Sequence, residues 1–216
     1  MTEDYMQDSF NNNCRECDRL AGFLDEVAIN FPEYYAKPVP PFGDPSAQLL
    51  IVGLAPGLHG ANATGRPFTG DYAGLLLYET LHKFGFSNFS KSESITDGLL
   101  LKNCRITNAV KCLPPQNKPN GSEVKNCQTF LKEEIAQLSG KAVIIALGTI
   151  AHKSIISTLA LKQKDFPFQH GAEHLLPNKK FLLDSYHCSR YNTQTKRLTK
   201  KMFYSIFEKA RVILNG

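Results

Sequence analysis

Four short runs dominated by Leu, Ile and Val interrupt a mostly polar chain, at residues 49–53, 105–110, 142–147 and 181–185. Each is bounded by turn residues and is too short for a stable helix, so each is predicted to be a buried strand. Between and after them, apolar residues recur at helical spacing over 72–84, 122–138, 149–161 and 195–214. The second of these helices is expected to open at Ser122, with Glu123 in its first turn, and to close near Gly140. Strands alternating with helices predict an α/β protein: three α/β/α layers around a central four-stranded parallel sheet. The 216 residues, 42% of them hydrophobic, suffice for one core and are expected to form a single domain with a Cys-x2-Cys segment near its N-terminus. In the first helix Ala73, Leu76, Leu77, Leu81 and Phe84 form one apolar face and are assigned to the core.

Open parallel sheets bind ligands beyond the carboxyl ends of their strands. That rule selects Gly53-Leu-Ala-Pro-Gly57, Asn108, Gly148-Thr149 and the segment Ser185-Tyr-His-Cys-Ser-Arg-Tyr-Asn192. The first opens a long loop, GLAPGLHGANATGRPFTGD (53–71), which has neither the Gly-Lys-Ser/Thr of a Walker loop nor a GxGxxG fingerprint. Asp71 at the end of this loop is placed as a helix N-cap or as a pocket carboxylate, and Phe68 as a hydrophobic staple or as a ligand-facing ring. His187 follows a strand directly, among Ser185, Ser189, Arg190 and Asn192, where a parallel-sheet protein keeps its chemistry.

No apolar run reaches the ~20 residues needed to span a bilayer, and the first residues (MTEDYMQDSFNNN) are polar and acidic, so an intracellular location is expected. A net charge of +5 is compatible with a polyanionic partner. Of the six cysteines, Cys14-x2-Cys17 and the pair Cys112 and Cys127 offer four soft ligands, suited to zinc or an iron-sulfur cluster; the alternative is that Cys112 and Cys127 are buried apolar thiols. Cys104 and Cys188 have no partner at ligand spacing.

Together GLAPG, GRPFTGD, ITNAVKCLPP-x11-C and SYHCSRYNTQTKRLT resemble the iron-sulfur uracil-DNA glycosylases, specifically family 5, type B. The resemblance runs from Cys14 to about Leu198. Family 4 carries an acidic residue where this chain has Leu54, which points to family 5. The resemblance implies a monofunctional, monomeric glycosylase of base-excision repair with a uracil-DNA glycosylase-like fold. It would flip uracil out of DNA and hydrolyse its N-glycosidic bond, leaving an abasic site. It also implies that Asp71 is the catalytic carboxylate and that His187 sits beside the leaving base. Gly53, Ala55, Pro56, Gly57, Phe68 and Asn108 would bind the base, with Asn117 as a polar neighbour. Ser189, Arg190, Tyr191 and Asn192 would meet the DNA, with Lys196 and Arg197 as further phosphate contacts. Cys14, Cys17, Cys112 and Cys127 would hold a structural [4Fe-4S] cluster. A reader built from backbone amides and one Asn is expected to admit hypoxanthine and xanthine as well. The alternatives are a family 4-like enzyme restricted to uracil and a catalytically silent iron-sulfur module that binds DNA. Two positions depart from the family pattern: Cys188 where Pro is usual after the histidine, and Ala63 where Arg is usual between Asn62 and Thr64.

Overall fold

The computed structural model describes residues 10–216; the acidic stretch 1–9 lies outside the described residues. The four predicted strands form within two residues of their expected bounds: β2 (Leu49–Gly53), β3 (Cys104–Asn108), β4 (Val143–Leu147) and β6 (Phe181–Ser185). They pair in parallel in the order β3-β2-β4-β6. Two strands that the apolar pattern did not predict complete the sheet: β1 (Phe42–Gly43) pairs antiparallel with β3, and β5 (Glu173–Leu175) with β6. The expected four-stranded parallel sheet is therefore the centre of a six-stranded mixed one, in the order β1-β3-β2-β4-β6-β5. Strands of two and three residues at half-exposed edges are too short to carry an alternation, which is why the sequence hid them.

Because the central strands are buried on both faces, successive residues of β2 feed opposite cores. Leu49 and Ile51 pack with α3 (Tyr72–Lys83) and α7 (Lys200–Asn215). Leu50 and Val52 pack with α4 (Gly121–Gln137) and α5 (Thr149–Thr158). Ala73, Leu77 and Leu81 of α3 are buried as expected, with Leu76 and Phe84 partly buried beside them. A third cluster lies at the N-terminal side, where Leu20, Leu24 and Val27 of α1 (Asp18–Asn30) meet Val110, Cys112, Leu113 and Cys127. The spacing of those three α1 residues is an amphipathic signal that the reading of the strand pattern passed over.

Two expected helix bounds shift for local reasons. The segment 195–214 is not one helix. Arg190–Gln194 forms the short α6, Lys196 takes a left-handed φ of 57°, and Thr199 caps α7 by accepting the Met202 N–H at 3.2 Å. α4 opens at Asn120, two residues before Ser122. Asn120 Oδ1 accepts the Glu123 N–H at 3.0 Å, and Glu123 Oε2 accepts the Asn120 N–H at 2.8 Å, a reciprocal capping box. The same Glu123 carboxylate takes the Arg19 guanidinium at 2.7 Å through both oxygens, tying α1 to α4. Lys111, just after β3, is buried against Thr107 and pairs with Glu134 of α4 at 2.6 Å. Among the described residues no helix is long and apolar enough to cross a membrane.

The capping box yields a stability prediction. Asn120→Ala removes the side-chain acceptor for one of the four orphan amides at the start of α4 and should lower unfolding stability by about 1 kcal/mol. Urea unfolding with an unchanged m-value and a lower midpoint is the expected result; an unchanged midpoint would make the cap incidental.

Candidate active site and cysteine cluster

The carboxyl ends of β2, β3 and β6 open onto one pocket of ≈ 360 Å³, whose walls include Leu54, Ala55, Gly57, Phe68, Asp71, Asn108, Asn117 and His187, with Ser189 and Arg190 at its edge. Residues from four separate sequence blocks are thus brought to one place, as the topology rule requires. Gly53 and Pro56, also expected against the base, are buried and are not among the residues that line this pocket.

Asp71 decides between the two readings of its position. It precedes α3 in the N-cap place with extended backbone, yet its side chain makes no capping hydrogen bond to α3. The carboxylate turns back and accepts the Ala61 N–H, at the start of the short helix α2 (Ala61–Thr64), over 3.4 Å. Burial is the larger influence and raises its pKa above the ordinary 3.8; the Ala61 amide opposes this.

The glycines of the loop are explained by what lies against them. A methyl group at Gly60 would overlap the Asp71 carboxylate, and one at Gly57 would come within 2.6 Å of its Oδ1. A methyl at Gly53 would come within 2.7 Å of Phe68 Cζ and closer still to Asn108 Oδ1, and one at Gly74 would collide with the Phe68 carbonyl. These four glycines make room for the site's own side chains, Asp71, Phe68 and Asn108.

Phe68 is buried, has a left-handed φ of 61°, and faces the His187 ring with centroids 6.0 Å apart and planes 26° from parallel. The conformation is held by a network absent from the expectations. Arg66 is buried, donates to Asp97 Oδ1 at 2.8 Å, Ser92 Oγ at 3.0 Å and the Ile95 carbonyl at 2.9 Å, and lies 4.4 Å over the Phe42 ring. Thr69 joins Ser92 at 2.6 Å, and the Tyr78 hydroxyl donates to the Pro67 carbonyl at 2.6 Å. Asp97 is accordingly held well below the usual carboxylate range: Arg66 and three backbone amides outweigh its desolvation. An arginine between two glycines of a loop was the available signal.

His187 opens on the pocket but is otherwise packed round by protein, and burial pushes its pKa down from 6.5 to about 4, so the ring is neutral at physiological pH. Asn192, expected among the DNA contacts, donates its side-chain amide to the His187 carbonyl at 2.8 Å, and Ser189 Oγ caps α6 by accepting the Asn192 N–H. Both shape the histidine loop. Arg190 lies 5.8 Å over the Tyr72 ring, and Tyr191 is 70% exposed beside it. Lys196 and Arg197 are exposed in the turn before α7, with Arg197 over the Tyr186 ring at 4.8 Å. Cys188 is fully buried in the apolar core with Cys104, so neither contributes a ligand.

Cys14, Cys17, Cys112 and Cys127 line a single narrow cavity with Asn126 and Phe130, and Cys112 and Cys127 are at the same time buried in the apolar cluster beside α1. Asn126 Nδ2 donates to Cys17 Sγ at 3.3 Å. Burial, then the charges of the other three, push Cys112 up to about 12. Burial also raises Cys17 and Cys127, and a cationic centre among these thiols would offset that cost. Four thiols on one cavity are of the right chemistry for a tetrahedral zinc or for a cluster of several irons.

Comparison with known proteins agrees with this architecture. Residues 40–211 match the model of the uracil DNA glycosylase superfamily. The chain is 46% identical over 204 residues to a type-5 uracil-DNA glycosylase of Thermus thermophilus, covering 92% of each chain. It is 38% identical over 202 residues to a type-5 uracil-DNA glycosylase of Pyrobaculum aerophilum, covering 92% of this chain and 88% of that one. Similarity to a type-4 uracil-DNA glycosylase of Sulfurisphaera tokodaii is lower, 28% over 184 residues, covering 82% of this chain and 77% of that one. With the strand-end pocket, the glycine-cradled carboxylate and this match over most of its length, the chain belongs to the uracil DNA glycosylase superfamily, in its type-5 branch.

Proposed function

We propose that this chain removes uracil from DNA by hydrolysing the N-glycosidic bond of an extruded nucleotide, leaving an abasic site. The observation that carries the reading is the Asp71 carboxylate, which occupies a cap position without capping and is turned into the pocket against Gly57 and Gly60. A base inside a duplex is out of reach, so the nucleotide must be flipped at a cost of roughly a few kcal/mol. Phe68 offers the apolar face for the extruded base, and Asn108 at the end of β3 offers both a donor and an acceptor to its polar edge.

As the bond to the base breaks, positive charge grows on the sugar and negative charge on the base. Asp71, in its ionised form, stabilises the first and orients the attacking water as general base. His187 meets the second: as a neutral ring it donates a hydrogen bond to the leaving oxygen without surrendering its proton. Arg190 stands at the pocket edge for phosphate, and the exposed Tyr191 next to it in the chain would enter the gap left by the base. Recognition by one Asn and backbone amides leaves room for hypoxanthine and xanthine. The reaction requires neither a second chain nor a second domain, and the protein acts as a monomeric single-domain enzyme.

The four cysteines would hold a [4Fe-4S] cluster, a reading supported by their meeting in one cavity and by the chain's type-5 relatives. When bound, the cluster ties the N-terminal segment before α1 to the loop after β3 and to α4, and takes no part in bond cleavage. A brown preparation whose visible absorption bleaches with dithionite is expected; a colourless preparation holding zinc at these cysteines would refute the cluster.

Asp71→Asn keeps shape and capping capacity but removes the charge, and should cut single-turnover uracil release at least about 100-fold with no loss of thermal stability. Gly60→Ala should cause a comparable loss by displacing the carboxylate while the chain still folds. Full activity in both variants would return Asp71 to a structural role. The pH profile separates the two polar groups. Asp71 loses its charge as pH falls through a pKa raised above 3.8, whereas His187, depressed to about 4, is neutral at every higher pH. kcat/KM should therefore fall on the acid side through a carboxyl limb that His187→Gln lowers in height without moving; a limb near 6.5 that vanishes in His187→Gln would overturn this assignment.

A further inference from the structure

We propose that His152, His174 and Asp184 form a binding site for one zinc-type divalent ion, distinct from the cysteine cluster and independent of the glycosylase reading. The three residues come from α5, the edge strand β5 and the end of β6, and their ligand atoms all lie within 4.8 Å of one another. Asp184 is wholly buried and His152 is 1% exposed.

The hydrogen bonding around His152 shows what is missing from a purely protein account. Its Nε2 lies 2.8 Å from the Phe166 carbonyl oxygen, which can only accept, so a ring proton is committed to Nε2. The Nδ1 atom then faces Asp184 Oδ1 at 2.7 Å. In the neutral ring Nδ1 carries a lone pair, and a lone pair set against a carboxylate needs a positive species between them. On the other side His174 Nε2 lies 3.4 Å from Asp184 Oδ2, yet this buried nitrogen makes no hydrogen bond among the described residues.

A proton shared by His152 and Asp184 would satisfy the first contact and leave His174 Nε2 orphaned, at a cost in desolvation. A divalent ion satisfies both. Two imidazole nitrogens and a carboxylate are a zinc donor set and not a magnesium or calcium one. The 3.4 Å between His174 Nε2 and Asp184 Oδ2 is close to the edge of a tetrahedron with bonds of about 2.0–2.1 Å, whereas the 2.7 Å between His152 Nδ1 and Asp184 Oδ1 is a hydrogen-bond distance that must open by roughly 0.6 Å to seat the ion. The Phe166 carbonyl acts on His152 as outer partners act on metal-bound histidines, fixing the tautomer that leaves Nδ1 free to bind. The Gln169 N–H approaches Asp184 Oδ2 at 3.4 Å; the His174 side chain is 13% exposed while its Nε2 is buried, so the ring must turn to admit the ion, with a water as fourth ligand.

Asp184 precedes His187 by three residues along the chain. An ion here staples α5, β5 and β6 together at the root of the loop that carries His187, and so positions that residue without touching substrate.

Equilibrium dialysis of the purified protein against Zn2+, with elemental analysis for zinc and iron, tests the site. Wild type should bind one zinc per chain and show a rise in Tm on zinc addition; His174→Phe, and His174→Gln should the ring overpack, should bind it at least about tenfold more weakly with no rise in Tm. Co2+ in the same site should give d–d bands of nitrogen and oxygen ligation without sulfur charge transfer. No zinc in wild type, equal zinc in the variants, or a sulfur charge-transfer band would each overturn the proposal, the last by assigning the metal to the cysteines.

Discussion

A carboxylate removed from water must be surrounded by groups that either donate hydrogen bonds to it or leave it space, and Asp71 is placed by that constraint. Burial works against its charge, and the one backbone amide that reaches it, from Ala61, is 3.4 Å away. The rest is geometry: Gly57 and Gly60 approach so closely that a methyl group on either would strike the carboxylate. A loop that folds back on itself between β2 and α3 is the means of bringing those backbone atoms to the residue at its end. Its length, its glycines and the short helix α2 inside it all serve this one placement.

The same logic holds Phe68. A left-handed φ at a bulky residue costs on the order of 1–3 kcal/mol and persists only where the surroundings over-determine it. Here Arg66, Asp97, Ser92, Thr69 and Tyr78 bind the loop on one side, while Gly53 and Gly74 admit the ring and its carbonyl on the other. His187 is positioned from the opposite wall by Asn192. The groups proposed for catalysis are thus set before substrate arrives, the condition under which proximity and fixed dipoles contribute most to rate.

Polar clusters secure the regions that apolar packing leaves weak. The cysteines gather α1, the loop after β3 and α4, joined there by the Arg19–Glu123 and Lys111–Glu134 pairs. At the other edge of the sheet β5 has three residues and little core of its own, and His174 and Asp184 meet there. Both clusters act across elements distant in sequence, and each holds an end of the sheet from which site residues depart.

By itself the sequence determined the elements whose burial is symmetric: β2, β3, β4 and β6, the core face of α3, and the strand ends where Asn108 and His187 stand. Continuous apolar runs and helical spacing encode burial locally, so these needed no partner to be read. The cysteine spacing determined four soft ligands but not that they share one cavity. Only the tertiary structure decided that Asp71 does not cap its own helix, because the choice between the α3 amides and a turn toward α2 depends on glycines 11 and 14 residues earlier. Likewise the edge strands, the Arg66 brace and the meeting of His152, His174 and Asp184 arise from backbone pairing and long-range hydrogen bonding. Such pairings leave no periodic trace in the chain, since each side of the contact looks polar and ordinary until the fold brings the other to it.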